Sequence, residues 1–166
     1  MSEDFEAFYA ARKDAVLRAV IAASGDRVRA EDAAAEAFTR AYLNWERVRQ
    51  HTNPTAWVMR VALNVHRSWW RRLRRELLGT SPERPAPAQT SVGGLDGRLQ
   101  ALVAALPGRQ RAVLALRVLA DLSPEETGEL LGIAPATVHV HLHRALGTLR
   151  VRLAAGDNGK AEEVLA

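Results

Sequence analysis

A segment rich in helix-breaking residues divides the chain and limits what it can fold into. Residues 79–97 read Gly-Thr-Ser-Pro-Glu-Arg-Pro-Ala-Pro-Ala-Gln-Thr-Ser-Val-Gly-Gly-Leu-Asp-Gly, with no apolar period, which is typical of a linker. On both sides of it the apolar residues recur at intervals of three and four, and no convincing strand-like alternation is present. The pattern predicts an all-α fold of two small helical domains joined by a flexible linker.

The length and composition restrict the possible classes of protein. With 166 residues, the chain has room for two small domains, which we place at 1–78 and 98–153, followed by a tail at 154–166. The absence of cysteine excludes disulfides, thiolate metal sites and a thiol nucleophile. The apolar runs are too short to cross a bilayer, and the acidic start lacks the apolar stretch of a signal peptide. We therefore expect a cytoplasmic protein without membrane insertion.

The first domain is predicted to contain three helices. The first begins near Phe5 and ends at Gly25-Asp26. The second has its acidic start at Glu31 and its core face from Ala34 to Val48. After the polar loop 49–53, Pro54 suits the first turn of a helix that we extend to about Leu77.

This third helix has one apolar and one basic stripe. The apolar stripe consists of Val58, Val61, Ala62, Val65 and Trp69. The basic stripe consists of Arg60, Asn64, Arg67, Arg71 and Arg74. Guanidinium groups pair with phosphate and an amide can read a base edge, so the stripe suits DNA, although a solvated helical face would have the same composition. Trp57 lies near the apolar stripe, whereas Trp70 points away from it, where it could contact DNA, a protein partner or the second domain.

The second domain carries a helix-turn-helix pattern. Helices at Leu95–Leu106 and Arg109–Ala120 precede Ser123-Pro-Glu-Glu126, which has the form of a capping box. The helix that follows ends at Leu131-Gly132, and Pro135 opens the last helix. Its predicted inner face consists of Val138, Leu142, Ala145, Leu146, Leu149 and Leu153. In such a motif the start of the last helix enters the major groove.

The sequence offers no support for catalysis or for a bound cofactor. His139 and His143 have metal-ligand spacing, but no acidic residue or cysteine completes a site. No phosphate-binding loop, nucleophilic triad or pair of buried carboxylates can be identified. We therefore expect neither an enzyme nor a metal-binding protein.

Three stretches resemble parts of two conserved regions of the sigma-70 factors of bacterial RNA polymerase. Arg29-Ala-Glu-Asp-Ala-Ala-Ala-Glu-Ala-Phe-Thr-Arg-Ala-Tyr42 and Asn53-Pro-Thr-Ala-Trp-Val-Met-Arg-Val-Ala-Leu-Asn64 resemble two helices of region 2. Residues 106–149, including Gly-Ile-Ala-Pro-Ala-Thr-Val and Leu-His-Arg-Ala, are similar to region 4. Two such regions in this order, without another domain, are typical of the extracytoplasmic-function group.

The resemblance implies a factor that carries core polymerase to promoters and helps to open them. Region 2 would dock on the clamp of the largest polymerase subunit through Asp32, Glu36 and Arg40. It would also capture the downstream promoter element, partly single-stranded, through Arg49, Gln50, His51, Asn53, Trp57, Arg60, Asn64, Arg67, Trp70, Arg71 and Arg74. Region 4 would bind the flap of the second-largest subunit and read double-stranded DNA through Thr137, His139, Val140, His141 and Arg144. An anti-sigma factor is a common further partner in the family.

The chain departs from the family pattern at two places. Ala35 stands where a glutamine usually precedes the acidic residue of the region 2 helix, a change expected to weaken a polymerase contact. The recognition helix reads His139-Val140-His141 instead of carrying lysine or arginine around a serine, so we hypothesise weaker or pH-sensitive recognition of the upstream element. The alternatives are a stand-alone helix-turn-helix regulator and a sigma-like decoy that has lost promoter recognition.

Overall fold

The computed structural model describes residues 3–65, 71, 75 and 97–164, with side chains as far as residue 156. All regular elements in these ranges are helical, which confirms the predicted all-α class. The helices are α1 (Glu3–Ser24), α2 (Arg27–Leu43), α3 (Trp45–Val48), α4 (Pro54–Val65), α5 (Gly97–Ala104), α6 (Gly108–Leu114), the π-helical turn (Ala115–Leu119), α7 (Pro124–Leu131) and α8 (Pro135–Val164). Apart from Gly97, the predicted linker lies outside the described residues.

The second helix of the first half begins earlier and ends earlier than predicted. It starts at Arg27 because the Asp26 side chain accepts from the Arg29 backbone N–H, leaving Glu31 in the second turn. It stops at Leu43 instead of continuing to Val48. The Asn44 side chain donates to the Arg40 carbonyl at 2.8 Å, and such local hydrogen bonds compete with the helical ladder. The four-residue α3 follows as a separate turn.

A π-helical turn interrupts the helix predicted over Arg109–Ala120. The Ala120 N–H donates to the Ala115 carbonyl, five residues back instead of the four of an α-helix. The Leu122 N–H donates to the Leu116 carbonyl, six residues back. Leu116 and Leu122 are both fully buried. The turn therefore ends the helix with two leucines held in the core.

The helix-turn-helix forms as predicted. Ser123 and Glu126 make both hydrogen bonds of the capping box, at 3.0 and 2.8 Å. Gly132 ends α7 with a φ of 68°, a left-handed conformation that favours glycine. Gly128, which the sequence analysis did not single out, is needed for a different reason: a Cβ there would lie 2.6 Å from the Ile133 carbonyl oxygen. Helix α7 thus approaches the turn before α8 at a glycine.

One assignment on the last helix is wrong. Val138, Ala145 and Leu149 are buried as predicted, but Leu146 is 41% exposed. At 100° per residue, Leu146 lies about 80° from the centre of the stripe formed by Val138, Ala145 and Leu149. It therefore faces the solvent edge of α8. The helix also continues to Val164, so the predicted tail at 154–166 begins within it.

The two halves of the chain share one hydrophobic core. Six consecutive residues of α1, from Ala19 to Ser24, are buried, and a run of that length covers every face of a helix. One side of α1 packs on α2 and α4, and the other packs on α6 and the π-helical turn. The two predicted helical units are therefore packed against each other through α1.

Candidate nucleic-acid interface

The loop before α4 and the exposed face of that helix form the first candidate surface. Asn53 caps the helix: its Oδ1 accepts from the backbone N–H groups of Thr55 and Ala56, at 3.0 and 3.4 Å. The apolar face of α4 is buried through Thr55, Val58, Met59, Ala62 and Leu63. Arg60 and Asn64 are exposed on the opposite face, where the basic stripe was predicted. The cap and the core together fix the direction of this polar face.

The other predicted residues of this surface divide into four groups. Arg49, Gln50 and His51 are exposed in the turn, and Arg49 pairs with Glu46 at 2.8 Å. Trp57 is half-buried and packs against the core, as its position beside the apolar stripe predicts. Arg71 has a helical backbone conformation, and its side chain is exposed. Arg67, Trp70 and Arg74 lie outside the described residues, as does Trp69 of the apolar stripe.

The N-terminal half of α8 forms the second candidate surface. His139, Val140 and Arg144 are exposed, and Thr137 is half-buried at the first turn. Val140 is 46% exposed, so an apolar side chain is available to meet a thymine methyl group. Val140 lies opposite the buried Val138 and Ala145, and the other three residues lie to either side of it, away from the core. This is the orientation that a recognition helix requires.

His141 differs from its neighbours on this surface. It is half-buried, and its Nδ1 atom is buried without a hydrogen-bond partner. Burial lowers the pKa of the imidazole below its ordinary value of 6.5, and the positive charges of Arg109 and Arg144 lower it further. His141, one of the predicted DNA contacts, is therefore held in its neutral form.

A titration of His141 tests this environment. We expect the imidazole to titrate below pH 6.5 in the free protein, as measured by NMR. The folded state resists protonation, so its stability should fall as the pH drops through the range where the unfolded chain takes up that proton. The His141→Gln variant should lose this part of the pH dependence. A titration midpoint at or above 6.5 in the free protein would contradict the assigned environment.

Two polar contacts join the first surface to the helix-turn-helix. The Asn53 Nδ2 donates to Glu126 Oε2 at 3.0 Å, and an Arg60 guanidinium nitrogen lies 3.2 Å from Glu129 Oε2. Glu126 was predicted from the sequence as a capping residue, but neither contact was. They join residues about seventy positions apart in the chain, and no local pattern signals them.

The third candidate surface is the exposed side of α2. Asp32 and Arg40 are exposed and Glu36 is half-buried, with a 2.7 Å bond between the Arg40 Nε and Glu36. The C-terminal end of the same helix exposes two large apolar side chains, Tyr42 and Leu43. A mixed charged and apolar surface of this kind suits a protein partner. This apolar pair was not predicted from the sequence.

No group of three histidine or acidic side chains that could hold a metal is found within the described residues. Among the helices that the structure describes, none is long and apolar enough to cross a membrane.

Comparison with known proteins identifies the family. The sequence profile of sigma-70 region 2 matches residues 8–76, and that of sigma-70 region 4 matches residues 96–149. The chain is 35% identical to the RNA polymerase sigma-E factor of Streptomyces coelicolor, over 93% of this chain and 88% of that protein. It is 30% identical to the ECF RNA polymerase sigma factor SigW of Bacillus subtilis, over 85% and 84% of the two chains.

A solved structure has a similar fold. The sigma factor RpoE from Bartonella quintana, in complex with the anti-sigma factor NepR, superposes with a TM-score of 0.66 at 23% identity. The match covers 92% of this chain and 98% of that one. Fold, sequence profiles and relatives agree: the chain belongs to the sigma-70 family of RNA polymerase sigma factors, in its extracytoplasmic-function group.

Proposed function

We propose that this sigma factor directs core RNA polymerase to promoters and assists their melting through the three surfaces described above. The observation that carries the proposal is the exposed face of α4, where Arg60 and Asn64 lie one turn apart beyond the Asn53 cap. A guanidinium and an amide on one rigid face can bind a phosphate and a base edge together. We assign the downstream promoter element to this face and to the turn at 49–53. Arg67, Trp70, Arg71 and Arg74 would extend it along the chain.

The start of α8 would read the upstream element. We assign this role to Thr137, His139, Val140, His141 and Arg144. The two functional domains would be 1–78 and 98–153. Because His141 is neutral and partly buried, we expect it to contribute less to phosphate binding than the exposed Arg144. This supports the hypothesis of weak upstream recognition.

The partners follow from the family and from the exposed side of α2. We propose that Asp32, Glu36 and Arg40 dock on the clamp of the largest polymerase subunit, and that the second domain docks on the flap of the second-largest subunit. An anti-sigma factor is a candidate partner because the sigma factor of similar fold was solved with one. The factor would act in the cytoplasm by binding, without catalysis. The relatives favour this function over a stand-alone regulator.

Promoter binding by the holoenzyme tests the proposed surface. Asn64→Ala should weaken binding to a promoter fragment by about five- to a hundredfold, because a good base contact is worth about 1–3 kcal/mol. The measurement is a fluorescence-anisotropy titration of the fragment with core polymerase and each variant. Arg12→Ala, an exposed residue of α1, should leave the affinity unchanged. Equal affinities for Asn64→Ala and the unaltered protein would refute the downstream surface.

A further inference from the structure

Val140 is an apolar side chain at the centre of a face that is otherwise mostly polar. It is 46% exposed and lies opposite Val138 and Ala145, which are buried. Thr137 lies one turn before it and Arg144 one turn after it on the same side of α8. A single exposed valine on a protein surface needs no explanation, but this one stands in the middle of the face that we assign to the upstream element.

The neighbouring side chains leave Val140 within reach of a base edge. Ala136, one turn earlier, is exposed and has no side-chain atom beyond its Cβ. In the next turn, the exposed His143 and Arg144 are displaced from Val140 around the helix by about 60° on one side and 40° on the other. The longer side chains therefore flank Val140 instead of covering it. The start of a recognition helix lies deep enough in the major groove for a short side chain to meet a base.

The chemistry of valine favours one feature of the major groove. The groups that protrude there from the base pairs are hydrogen-bond donors and acceptors, apart from the C5-methyl group of thymine. Because valine can neither donate nor accept, a polar group facing it would lose its water without gaining a partner. A methyl group facing it would gain an apolar contact. Val140 therefore favours a pyrimidine that carries a methyl group at C5.

A methylated cytosine presents the same group in the same place. 5-Methylcytosine carries its methyl group at C5, as thymine does, and differs at C4, where an amino donor replaces the carbonyl acceptor. A side chain that contacts the methyl group alone does not distinguish these two bases. The hydroxyl group of Thr137 can both donate and accept, so this polar neighbour is compatible with either group at C4.

We propose that Val140 is a specificity-determining residue that reads the C5-methyl group of a pyrimidine in the upstream element, so that methylation of a cytosine at that position strengthens promoter binding. This inference rests on the proposed function, because it concerns the same recognition helix. It names the feature of the DNA that the centre of this helix recognises. It also makes promoter choice by the factor depend on the methylation state of the template.

The test varies single methyl groups on both sides of the contact. The holoenzyme is titrated into fluorescent promoter fragments in which each pyrimidine of the upstream element is in turn thymine, uracil, 5-methylcytosine or cytosine, paired with its complementary base. Thymine and uracil differ only by the methyl group, as do 5-methylcytosine and cytosine. On the protein, Val140→Thr replaces one methyl group by a hydroxyl group and keeps the shape of the side chain. Val151→Thr is the matched control, because Val151 is also an exposed valine of α8, about three turns further along the same side.

We expect one position at which the unaltered holoenzyme binds the thymine fragment about fourfold more tightly than the uracil fragment, the value of one buried methyl group. At that position 5-methylcytosine should exceed cytosine by a similar factor. Both differences should largely disappear with Val140→Thr and persist with Val151→Thr. If no position shows a methyl effect, or if Val140→Thr retains it, the proposal is wrong.

A fragment with a scrambled upstream element separates this proposal from the proposed function. If the unaltered holoenzyme binds the scrambled and the intact fragments equally well, α8 does not read the upstream element, and the function assigned to that helix fails together with this inference. If scrambling weakens binding but the methyl groups have no effect, the inference alone fails.

Discussion

Gly128→Ala should lower the free energy of unfolding by about 1–3 kcal/mol, the usual cost of overpacking a close contact. In an ordinary helix interior the same change is stabilising, because alanine exceeds glycine in helix propensity by about 1 kcal/mol. Here the added Cβ would lie 2.6 Å from the Ile133 carbonyl oxygen, which is backbone and cannot rotate away. Chemical denaturation followed by circular dichroism would measure the change.

Gly147→Ala is the matched control for this substitution. Gly147 also lies inside a helix, on α8, and a Cβ at that position meets no atom within 4 Å. We expect it to stabilise the protein by about 0.5–1 kcal/mol. The two substitutions should therefore have opposite signs. A stabilising effect of Gly128→Ala would show that α7 does not approach the turn as closely as described.

Leu116→Ala should cost about 2–5 kcal/mol of stability, as expected for a fully buried leucine. Leu116 lies in the π-helical turn of the second half, within the core that both halves share. The four tryptophans, at positions 45, 57, 69 and 70, all belong to the first half. Because the core is continuous, the substitution should shift the unfolding transition seen by tryptophan fluorescence together with that seen by circular dichroism.

Leu146→Ala provides the control, since Leu146 is 41% exposed on α8. We expect a change of no more than about 0.5 kcal/mol, as is usual for a surface substitution. If Leu116→Ala leaves the tryptophan transition in place, the halves unfold independently and do not share a core in solution.

The sequence predicts those parts of the fold that depend on neighbouring residues. The capping box at Ser123, the left-handed Gly132 and the start of α4 at Pro54 are each determined within one helical turn. The period of α4 places Val58 and Ala62 on the buried face and Arg60 and Asn64 on the exposed side. It did not identify Met59 and Leu63, which are fully buried, whereas the predicted Val61 and Val65 are half-buried. Most of the candidate downstream surface could therefore be predicted before the fold was known.

Features that depend on contacts between distant residues could not be predicted. The close approach at Gly128 arises only when α7 meets the turn before α8. The π-helical turn accompanies the burial of Leu116 and Leu122, and periodicity alone does not separate it from an α-helix. The break at Asn44 has a local cause, but asparagine also occurs within helices, so its side-chain hydrogen bond was needed to identify it.

The contacts of Glu126 and Glu129 were missed because their partners lie in the other half of the chain. The two acids look like the usual negative charges of a first and second helical turn. Their pairing with Asn53 and Arg60 requires the relative placement of α4 and α7. His141 was predicted as a recognition residue, but its burial beside Arg109 and Arg144 was not, because it depends on the packing of α8.

Run-off transcription tests the central claim most directly. Core polymerase from a related bacterium would be supplied with this protein on a library of promoter-length templates, and the start sites of the transcripts would be read. We predict new, discrete start sites that are absent with core polymerase alone and are lost with Asn64→Ala. If core polymerase binds the protein but no new start sites appear, the chain does not act as a sigma factor on promoters and our account is wrong.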